Sequence, residues 1–500
     1  MSGAVTHSGK WRIKPSGQLP IFLRFIINSS FTKANANKAG IKTAMPNRTY
    51  LNHMMYWRAE EYNAFEDEIL GYMKSNNGWF EKFCSQQLKI CEQTYQTGLE
   101  LKKIDWSIKT NQQIADILEK LLQEYRELTC PWYTQYPLDE YFETIIEQKL
   151  SEYIKADEPD FRKCVLIFSD PKEMTEVAEE RWRLMQMAKD FFAAKEDLDH
   201  LSASSQAKIN NHLDKFAYIN RGLATSKPYS YDDIINRLKE VKHQLANGKK
   251  INDLIYEVSA EKIAEDYAWA LKKIKPKKDF KRIIDLARLN SYFRNRRVEA
   301  FFNADYGASF AYAEVAKRNN FNPDWIMEIS VPEMMAALKE GKPLPNDKEM
   351  KMRLKNYAML VRNSETELIT DPQRIKDLEK EYSVEVEEAE EIQGRMACLG
   401  GIIRGHAKIC LDKSEISKVL RGDILVAQFT TPDFVPAMEK AAAIVADQGG
   451  LSSHAAIVSR ELGVPCVIAT KNGTRVIKEN DLLEINGQTG LVKIIKRADK

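Results

Sequence analysis

The sequence predicts a multidomain fold class, in which a large, mainly α-helical N-terminal region precedes a smaller C-terminal α/β domain. Half of the 22 glycines fall in the last 110 of the 500 residues, while all eight tryptophans lie at or before Trp325. Between about 50 and 320, apolar residues recur at helical spacing, as at Phe280, Ile284 and Ala287. In the last 110 residues the apolar runs shorten to strand length. These three observations separate the two kinds of domain.

The first 49 residues contain basic side chains and no acidic ones, since the first acidic residue of the chain is Glu60. We interpret residues 1–49 as a basic N-terminal arm. Three alternatives remain open: a solvated segment, which we favour, an arm that docks a partner or approaches nucleotide phosphates, and a transit peptide. The basic residues before Glu60 are Lys10, Arg12, Lys14, Arg24, Lys33, Lys38, Lys42, Arg48 and Arg58.

Residues 50–362 predict a helical domain that binds a small molecule or docks a partner. Aromatic residues gather between Pro131 and Phe142, where they either line a pocket or pack at a helix junction, and we favour packing. A connector, residues 363–393, is expected next, and its glutamates after Glu381 indicate a solvated linker or an exposed helix face. The predicted helices are 141–150, 172–193, 231–246 and 251–274, with breaks at Pro228, Gly248 and Pro276.

Residues 394–500 predict a compact domain of short strands with helices between them. Continuous apolar runs of four to six residues are typical of buried strands. Asn486-Gly487 lies between two such runs and predicts a β-hairpin. The predicted strands are 424–429, 443–446, 465–468, 482–485 and 491–495.

Charge and cysteine content exclude several classes of protein. The formal net charge is only +2, so the chain as a whole lacks the positive field of a nucleic-acid-binding protein. Its seven cysteines are scattered and form no CxxC pair, which argues against a disulfide framework and a zinc site and favours the cytoplasm. The apolar run from Pro20 to Ile27 is interrupted by Arg24 and is shorter than the roughly 20 residues of a membrane helix. We therefore predict no nucleic-acid and no membrane partner.

The stretch 449–468 has the pattern of a strand-loop-helix-strand unit that binds an anion. Gly449-Gly450 predicts the loop, Ser452 or Ser453 can cap the helix, and Gly463 ends it. A helix entered through glycines and hydroxyls presents free backbone N–H groups to a ligand. The segment therefore predicts an anion site at its helix start.

His454 lies at this predicted helix N-terminus. The positive end of the helix dipole disfavours the imidazolium there and keeps a ring nitrogen neutral and nucleophilic. A phosphoryl group on that nitrogen would be met by backbone N–H groups, the neighbouring hydroxyls and Arg460. Physical reasoning alone favours anion binding and phosphotransfer modestly over a structural cap, and the other six histidines are interpreted as structural.

The segment 449–468, with the run 430–447 before it, resembles the phosphohistidine swivelling domain of the phosphoenolpyruvate-utilising enzymes. That family includes pyruvate phosphate dikinase, phosphoenolpyruvate synthase, phenylphosphate synthase and rifampicin phosphotransferase. The similarity covers about 394–495, including the glycines between Gly394 and Gly405. Residues 279–362 more weakly resemble the helical segment before that domain in rifampicin phosphotransferase and synthase-like members. The resemblance implies an α/β phosphohistidine swivelling domain for residues 394–500.

In this family the histidine of a Gly-Gly-x-Thr-(Ser or Cys)-His motif carries a phosphoryl group between two distant sites. The resemblance implies that His454 is the catalytic residue and that no metal ligand is needed in this chain. Ser452 stands where the family commonly has threonine, so the hydroxyl is retained. The positions that match the supporting, phosphate-binding part of the motif are Gly449, Gly450, Ser452, Ser453 and Arg460.

Full-length family members form the phosphohistidine with an ATP-grasp nucleotide domain, and the dikinase and synthase add a C-terminal barrel that binds pyruvate. We expect neither here, because the first 390 residues lack a phosphate-cradling glycine loop and only five residues follow Ile495. The resemblance therefore implies a dikinase-type phosphotransferase subunit. A separate ATP-grasp protein, where ATP and Mg²⁺ are expected to bind, phosphorylates His454, and the group then passes to a small-molecule acceptor at the helical domain.

Two alternatives to this function remain open. The chain is either a non-catalytic phosphocarrier or regulatory adaptor phosphorylated on His454, with the helical domain as a protein-docking surface, or an inactive fragment. The intact motif around His454 argues against decay.

Overall fold

Helices occupy most of the chain between residues 20 and 382, and strands predominate after 390. This arrangement, in a computed structural model, confirms the predicted fold class of a large helical region followed by a C-terminal α/β domain. The structure describes residues 5–7, 11–15, 20–52, 54–75, 78–155, 158–221, 227–363, 365–382, 389–398, 400–411, 413–430, 434–450 and 453–498.

The α-helices and β-strands of the described residues are numbered in chain order. The helices are α1 (Ile21–Ser30), α2 (Lys33–Lys38), α3 (Ala59–Ser75), α4 (Trp79–Leu101), α5 (Asn111–Thr129), α6 (Gln135–Leu150), α7 (Pro159–Ser169), α8 (Glu176–Ala193), α9 (Ala203–Phe216), α10 (Tyr218–Arg221), α11 (Tyr231–Ala246), α12 (Ile251–Glu257), α13 (Ala260–Ile274), α14 (Lys278–Arg318), α15 (Val331–Glu340), α16 (Asp347–Lys355), α17 (Pro372–Glu381), α18 (Val435–Met438), α19 (His454–Leu462) and α20 (Gly473–Val476). The strands are β1 (Val5–His7), β2 (Trp11–Pro15), β3 (Arg48–Leu51), β4 (Met54–Arg58), β5 (Ala358–Arg362), β6 (Glu365–Ile369), β7 (Glu391–Gln393), β8 (Arg395–Cys398), β9 (Ile402–Cys410), β10 (Ile424–Ala427), β11 (Ala443–Ala446), β12 (Cys466–Ile468), β13 (Leu482–Asn486) and β14 (Leu491–Lys496).

The longest helix of the helical region is α14, with 41 residues, and several other helices pack against it. It packs along α4, and α6 and α7 pack against its N-terminal half. Gly98 of α4 and Gly307 of α14 meet at the crossing, where a Cβ on Gly307 would overlap the carbonyl oxygen of Gly98. The two backbones therefore approach too closely for a side chain between them.

A second, smaller apolar core lies between α8, α9, α11 and α12 and includes Phe191 and Leu238. A polar network joins this helical group to α14. Arg296 contacts Glu176 at 2.8 Å and Glu299 at 3.0 Å. Burial of Glu299, reinforced by the charge of Glu176, raises the pKa of Glu299 to about 7.

Residues 20–49, the longest described part of the N-terminal segment, contribute to the core, contrary to the expectation of a solvated basic arm. Nine of the ten residues of α1 are buried. Arg24 donates a hydrogen bond to the Tyr357 hydroxyl at 3.2 Å, and the buried Arg48 guanidinium donates to the carbonyls of Asn28 and Met45. The Arg24 guanidinium also lies 3.5 Å from the centre of the Tyr50 ring, and the negative charges of Glu328 and Glu61 act on Arg24 and Arg48, respectively. Lys10 lies outside the described residues.

A six-stranded antiparallel sheet joins the two ends of the helical region, in the order β1-β2-β4-β3-β5-β6. The pairing of β3 with β5 connects the N-terminal strands to the later ones, with Arg48 opposite Val361. The predicted connector 363–393 is therefore not a simple linker, since it contributes β6 to this sheet. It also contributes α17, whose Ile375 and Leu378 pack on the sheet. Residues 383–388 lie outside the described residues.

The C-terminal domain is built on an eight-stranded sheet in the order β7-β14-β13-β9-β10-β11-β12-β8. Strands β9 to β12 are parallel, and β8 pairs antiparallel with β12. The predicted β13–β14 hairpin is present, with a turn over residues 487–490 in which Gly490 adopts a φ of 76°. Parallel strands β10, β11 and β12 alternate with α18 and α19, so their carboxyl ends share one edge of the sheet.

Membrane helices and disulfides were both predicted to be absent. Among the residues that the structure describes, no helix combines the length and the apolar character needed to span a bilayer. No disulfide bond joins any of the seven cysteines, all of which are described, and burial raises the pKa of Cys130 to about 12.

Candidate functional site

A cleft of about 450 Å³ separates α6 from the carboxyl ends of β11 and β12. Ligands of parallel α/β sheets bind at this edge. The helical wall comes from one face of α6, because residues three, four, seven and eight positions apart lie on the same side of a helix. The helical side comprises Tyr136, Asp139, Glu140, Glu143, Thr144 and, from α14, Arg294; the opposite side comprises Arg395, Asp447, Gln448, Gly449, Gly450, Ser453, Ala469 and Lys471.

The Gly449-Gly450 loop links β11 to α19. Gly449 has a φ of 122°, a conformation that residues with side chains rarely adopt, and a Cβ there would overlap Ser453 Oγ. A Cβ on Gly450 would overlap the Glu143 carboxylate across the cleft. The two glycines therefore let the loop fold back on α19 and approach α6 at the same time.

The start of α19 lies beside the cleft. Ser453 caps the helix, since its Oγ accepts a hydrogen bond from the Ala456 N–H at 3.3 Å. His454 is the first helical residue, as the sequence predicts, and Arg460 lies six residues further along the helix. The structure describes only the backbone of His454 and Arg460, while Ser452 lies outside the described residues.

Asp447, at the end of β11, organises the loop after β12. Its buried carboxylate accepts hydrogen bonds from Thr470 Oγ1 at 2.9 Å and from the N–H and hydroxyl of Thr474. Burial raises the pKa of Asp447, while these hydrogen bonds lower it. The loop holds Ala469 and Lys471 at φ values of 57° and 70°, left-handed conformations that carry strain in residues with a Cβ. The strained loop keeps Lys471 in the cleft wall.

Ion pairs connect the two walls of the cleft and pair the carboxylates of α6 with arginines. Arg395, the first residue of β8, contacts Glu143 at 3.0 Å and also contacts Glu147, both on α6. Burial raises the pKa of Glu143, and the Arg395 charge opposes that shift. Arg294 lies 3.3 Å from Asp139. Within the described ranges, no three His, Cys, Asp or Glu side chains are arranged to hold a metal ion.

The structure brings part of the predicted motif together at the cleft, namely Gly449, Gly450 and Ser453. Their role in binding phosphate stays a prediction, as do the roles of His454, Ser452 and Arg460. Of the aromatic cluster, Tyr133 is buried in the core and Tyr136 lines the cleft.

Sequence reasoning missed the carboxylates of α6 and the two cationic residues of the C-terminal wall, Arg395 and Lys471. The spacing of Asp139, Glu140 and Glu143 is a usable signal, because it sets three carboxylates on one side of a helix. No local pattern identifies Lys471, whose position depends on how Asp447 holds its loop.

Comparisons with known proteins agree with this architecture. The family model described as "PEP-utilising enzyme, mobile domain" matches residues 419–490. A probable phosphoenolpyruvate synthase of Pyrococcus abyssi is 28% identical over 399 residues, which cover 77% of this chain and 44% of that protein. The phosphoenolpyruvate synthase of Pyrococcus furiosus is 53% identical over 112 residues, covering 22% of this chain and 14% of that protein. An uncharacterized phosphotransferase of Bacillus subtilis is 37% identical over 103 residues, covering 21% of this chain and 12% of that protein.

The chain thus spans less than half the length of these relatives. The family model covers part of the C-terminal domain, where the glycine loop and α19 are found. These matches confirm the predicted resemblance to the phosphoenolpyruvate-utilising enzymes.

Proposed function

We propose that this chain, whose C-terminal domain is a PEP-utilising mobile domain, is a phosphotransferase component of the dikinase type that carries a phosphoryl group on His454. A separate ATP-grasp protein supplies the group from ATP with Mg²⁺, and an acceptor hydroxyl in the cleft receives it. The similarity to phosphoenolpyruvate synthases supports the reaction class. The observation that carries the proposal is the cleft, in which the loop before His454 faces the polar wall of α6.

The surroundings of the helix start suit an anionic intermediate. The α19 dipole has its positive end at His454, which favours negative charge there. Lys471 lines the same cleft and adds a positive charge on the side of the glycine loop. Phosphoryl transfer demands chiefly positioning and charge neutralisation from a protein, and both are supported by these groups.

Transfer of the phosphoryl group from His454 to the acceptor needs no further reactant. The N–P bond of the phosphohistidine breaks, and an O–P bond to the acceptor hydroxyl forms. The hydroxyl proton replaces the phosphoryl group on the ring nitrogen, directly or by way of a carboxylate on α6, so His454 returns to its neutral form. In the preceding step an anhydride bond of ATP breaks and an N–P bond to the ring nitrogen forms, while the remaining part of the nucleotide leaves and the ring proton passes to solvent.

The phosphorylation step is testable without the partner. Phosphoramidate, a small donor that phosphorylates histidine, should give the full chain an acid-labile, base-stable phosphate measured by ³¹P NMR and mass spectrometry. His454→Ala should lose that phosphate. The matched control is His406→Ala, which removes an exposed histidine of the same domain whose ring lies 3.2 Å from the Asn480 carbonyl and should leave the signal unchanged. Phosphate that persists in His454→Ala would overturn the proposal.

The adaptor alternative is distinguished by the fate of the phosphate. A phosphotransferase should lose phosphohistidine when the small-molecule fraction of the source cells is added, and a new phosphate monoester signal should replace it. An adaptor should keep its phosphohistidine under the same conditions. We favour transfer because a docking surface has no need of a polar cleft beside the helix start.

A further inference from the structure

A small side cavity opens from the helical wall of the cleft. It has a volume of about 30 Å³ and shares Asp139, Glu143 and Arg294 with the cleft. Its polar lining also includes Asn290 and Ser291 of α14 and Ser169 of α7. The volume is about that of one water molecule or one ammonium group.

The side cavity presents hydrogen-bond acceptors. Asn290 is 3% exposed and lines the cavity, and its amide nitrogen donates to Asp139 at 2.8 Å. Neither Asn290 Oδ1 nor the hydroxyl of Ser291, which is 5% exposed, has a hydrogen-bond partner among the described residues. Buried polar atoms are normally satisfied, so these two atoms call for a hydrogen-bond donor, which a water molecule or a bound ligand can supply.

The charges around the cavity favour a cation over an anion. Asp139 and Glu143 line both the cavity and the cleft, and Glu140 extends the acidic wall. The two arginines nearest these carboxylates are already in ion pairs, Arg294 with Asp139 and Arg395 of the opposite wall with Glu143. Neither can bind a ligand carboxylate without breaking its ion pair. A protonated amine supplies donors to the uncharged acceptors and meets the acidic wall favourably.

We infer that the side cavity is the acceptor-recognition subsite and that the acceptor is a hydroxylated small molecule bearing a protonated amine, such as an amino sugar or amino alcohol. That the bound amine is the phosphoryl acceptor rests on the proposed function. The amine enters the cavity beside the hydrogen-bonded Asp139–Asn290 pair and donates to Asn290 Oδ1 and the Ser291 hydroxyl, and a hydroxyl of the same molecule lies in the cleft toward His454.

Three sugars with the same six-carbon skeleton test the inference. Titration calorimetry of the full, unphosphorylated chain measures the binding of D-glucosamine, D-glucose and D-gluconate, which carry an ammonium group, no charge and a carboxylate. Glucosamine should bind at least tenfold more tightly than glucose, and gluconate should bind most weakly. Equal affinity for all three, as expected if the cavity holds only water, would overturn the inference, as would an absence of glucosamine binding.

Variants assign the binding to the side cavity. Ser291→Ala should weaken glucosamine binding at least threefold while leaving the thermal midpoint unchanged, because the hydroxyl it removes makes no internal hydrogen bond among the described residues. Ser309→Ala, on the same helix, removes a hydroxyl that donates to Tyr306 and should leave binding unchanged. Equal affinities in both variants would refute the location.

Different measurements test the inference, through glucosamine binding, and the proposed function, through phosphorylation of His454. His454→Ala should bind glucosamine like the wild type, since recognition involves α6 and α14 and not the phosphorylated ring. A chain that is phosphorylated on His454 but does not bind glucosamine would leave the proposed function standing and reject the inference.

Discussion

Replacing Arg395 by methionine should release the C-terminal domain from α6. The guanidinium of Arg395 contacts Glu143 at 3.0 Å and also reaches Glu147, so one side chain of the C-terminal domain connects two carboxylates of the helical region. Methionine keeps much of the length and apolar stem and removes the charge. The variant therefore isolates the electrostatic part of docking.

The magnitude follows from the geometry of the Arg395–Glu143 pair. At 3.0 Å, Coulomb's law gives about 5–6 kcal/mol for an effective dielectric constant of about 20. The two side chains are 26% and 24% exposed, so desolvation and lost side-chain freedom offset most of this energy. We expect a net contribution of about 1–2 kcal/mol, which corresponds to a roughly 5- to 30-fold shift of the docking equilibrium.

Distances between the two parts of the chain provide the assay. Spin labels on unnatural amino acids at the exposed positions Ser151 and Gln488 report the docked population by double electron–electron resonance. Arg395→Met should broaden the distance distribution, and raising salt from about 50 mM to about 500 mM should broaden that of the wild type. Arg404→Met is the matched control, because its partner Glu484 lies in the same domain. Identical distributions for Arg395→Met and the wild type at both salt concentrations would refute the reasoning.

Two further predictions concern the helical region. Gly307→Ala should lower the free energy of unfolding, measured in urea, by about 1–3 kcal/mol, because its Cβ would overlap the Gly98 carbonyl. The control Gly71→Ala, at a helical glycine with open space around it, should raise that free energy by about 0.5–1 kcal/mol. Equal effects of the two substitutions would contradict the close packing of α4 and α14. The pKa of Glu299 is raised in the folded state from 4.5 to about 7, so the native state binds more protons than the unfolded chain in that interval and stability should fall as pH rises through it. Glu299→Gln should flatten this dependence in unfolding titrations across the same pH range, and parallel profiles would show that Glu299 is not the group responsible.

The elements that could be predicted from sequence are those with local causes. The buried parallel strands β10, β11 and β12 form continuous apolar runs, and α19 has glycines before it, a serine cap and Gly463 after it. The β13–β14 hairpin follows from its turn residues. Each of these signals lies within a few residues of the element that it specifies.

The elements that could not be predicted depend on distant partners. Strand β3 pairs with β5 across more than 300 residues, and each strand alone is too short to give a clear pattern. The acid-free N-terminal segment suggested exposure because Arg24 and Arg48 have no acidic neighbours in the sequence, yet both are buried and donate hydrogen bonds to hydroxyl or carbonyl oxygens inside the protein. The cleft was equally out of reach, because its acidic wall on α6 and its glycine loop lie about 300 residues apart.

The pairing of β3 with β5 also sets a tether length. Because β5 and β6 are held in the sheet and α17 packs on it, the chain leaves the helical region at a fixed point near Glu381. Tyr382 is buried against the sheet, and Ala389, seven residues further on, packs against the core of the C-terminal domain. A fully extended chain of seven residues reaches about 25 Å, which limits the distance between these two points. Under the proposed function, a donor protein that phosphorylates His454 must therefore bind within that distance of the sheet plus the dimensions of the C-terminal domain.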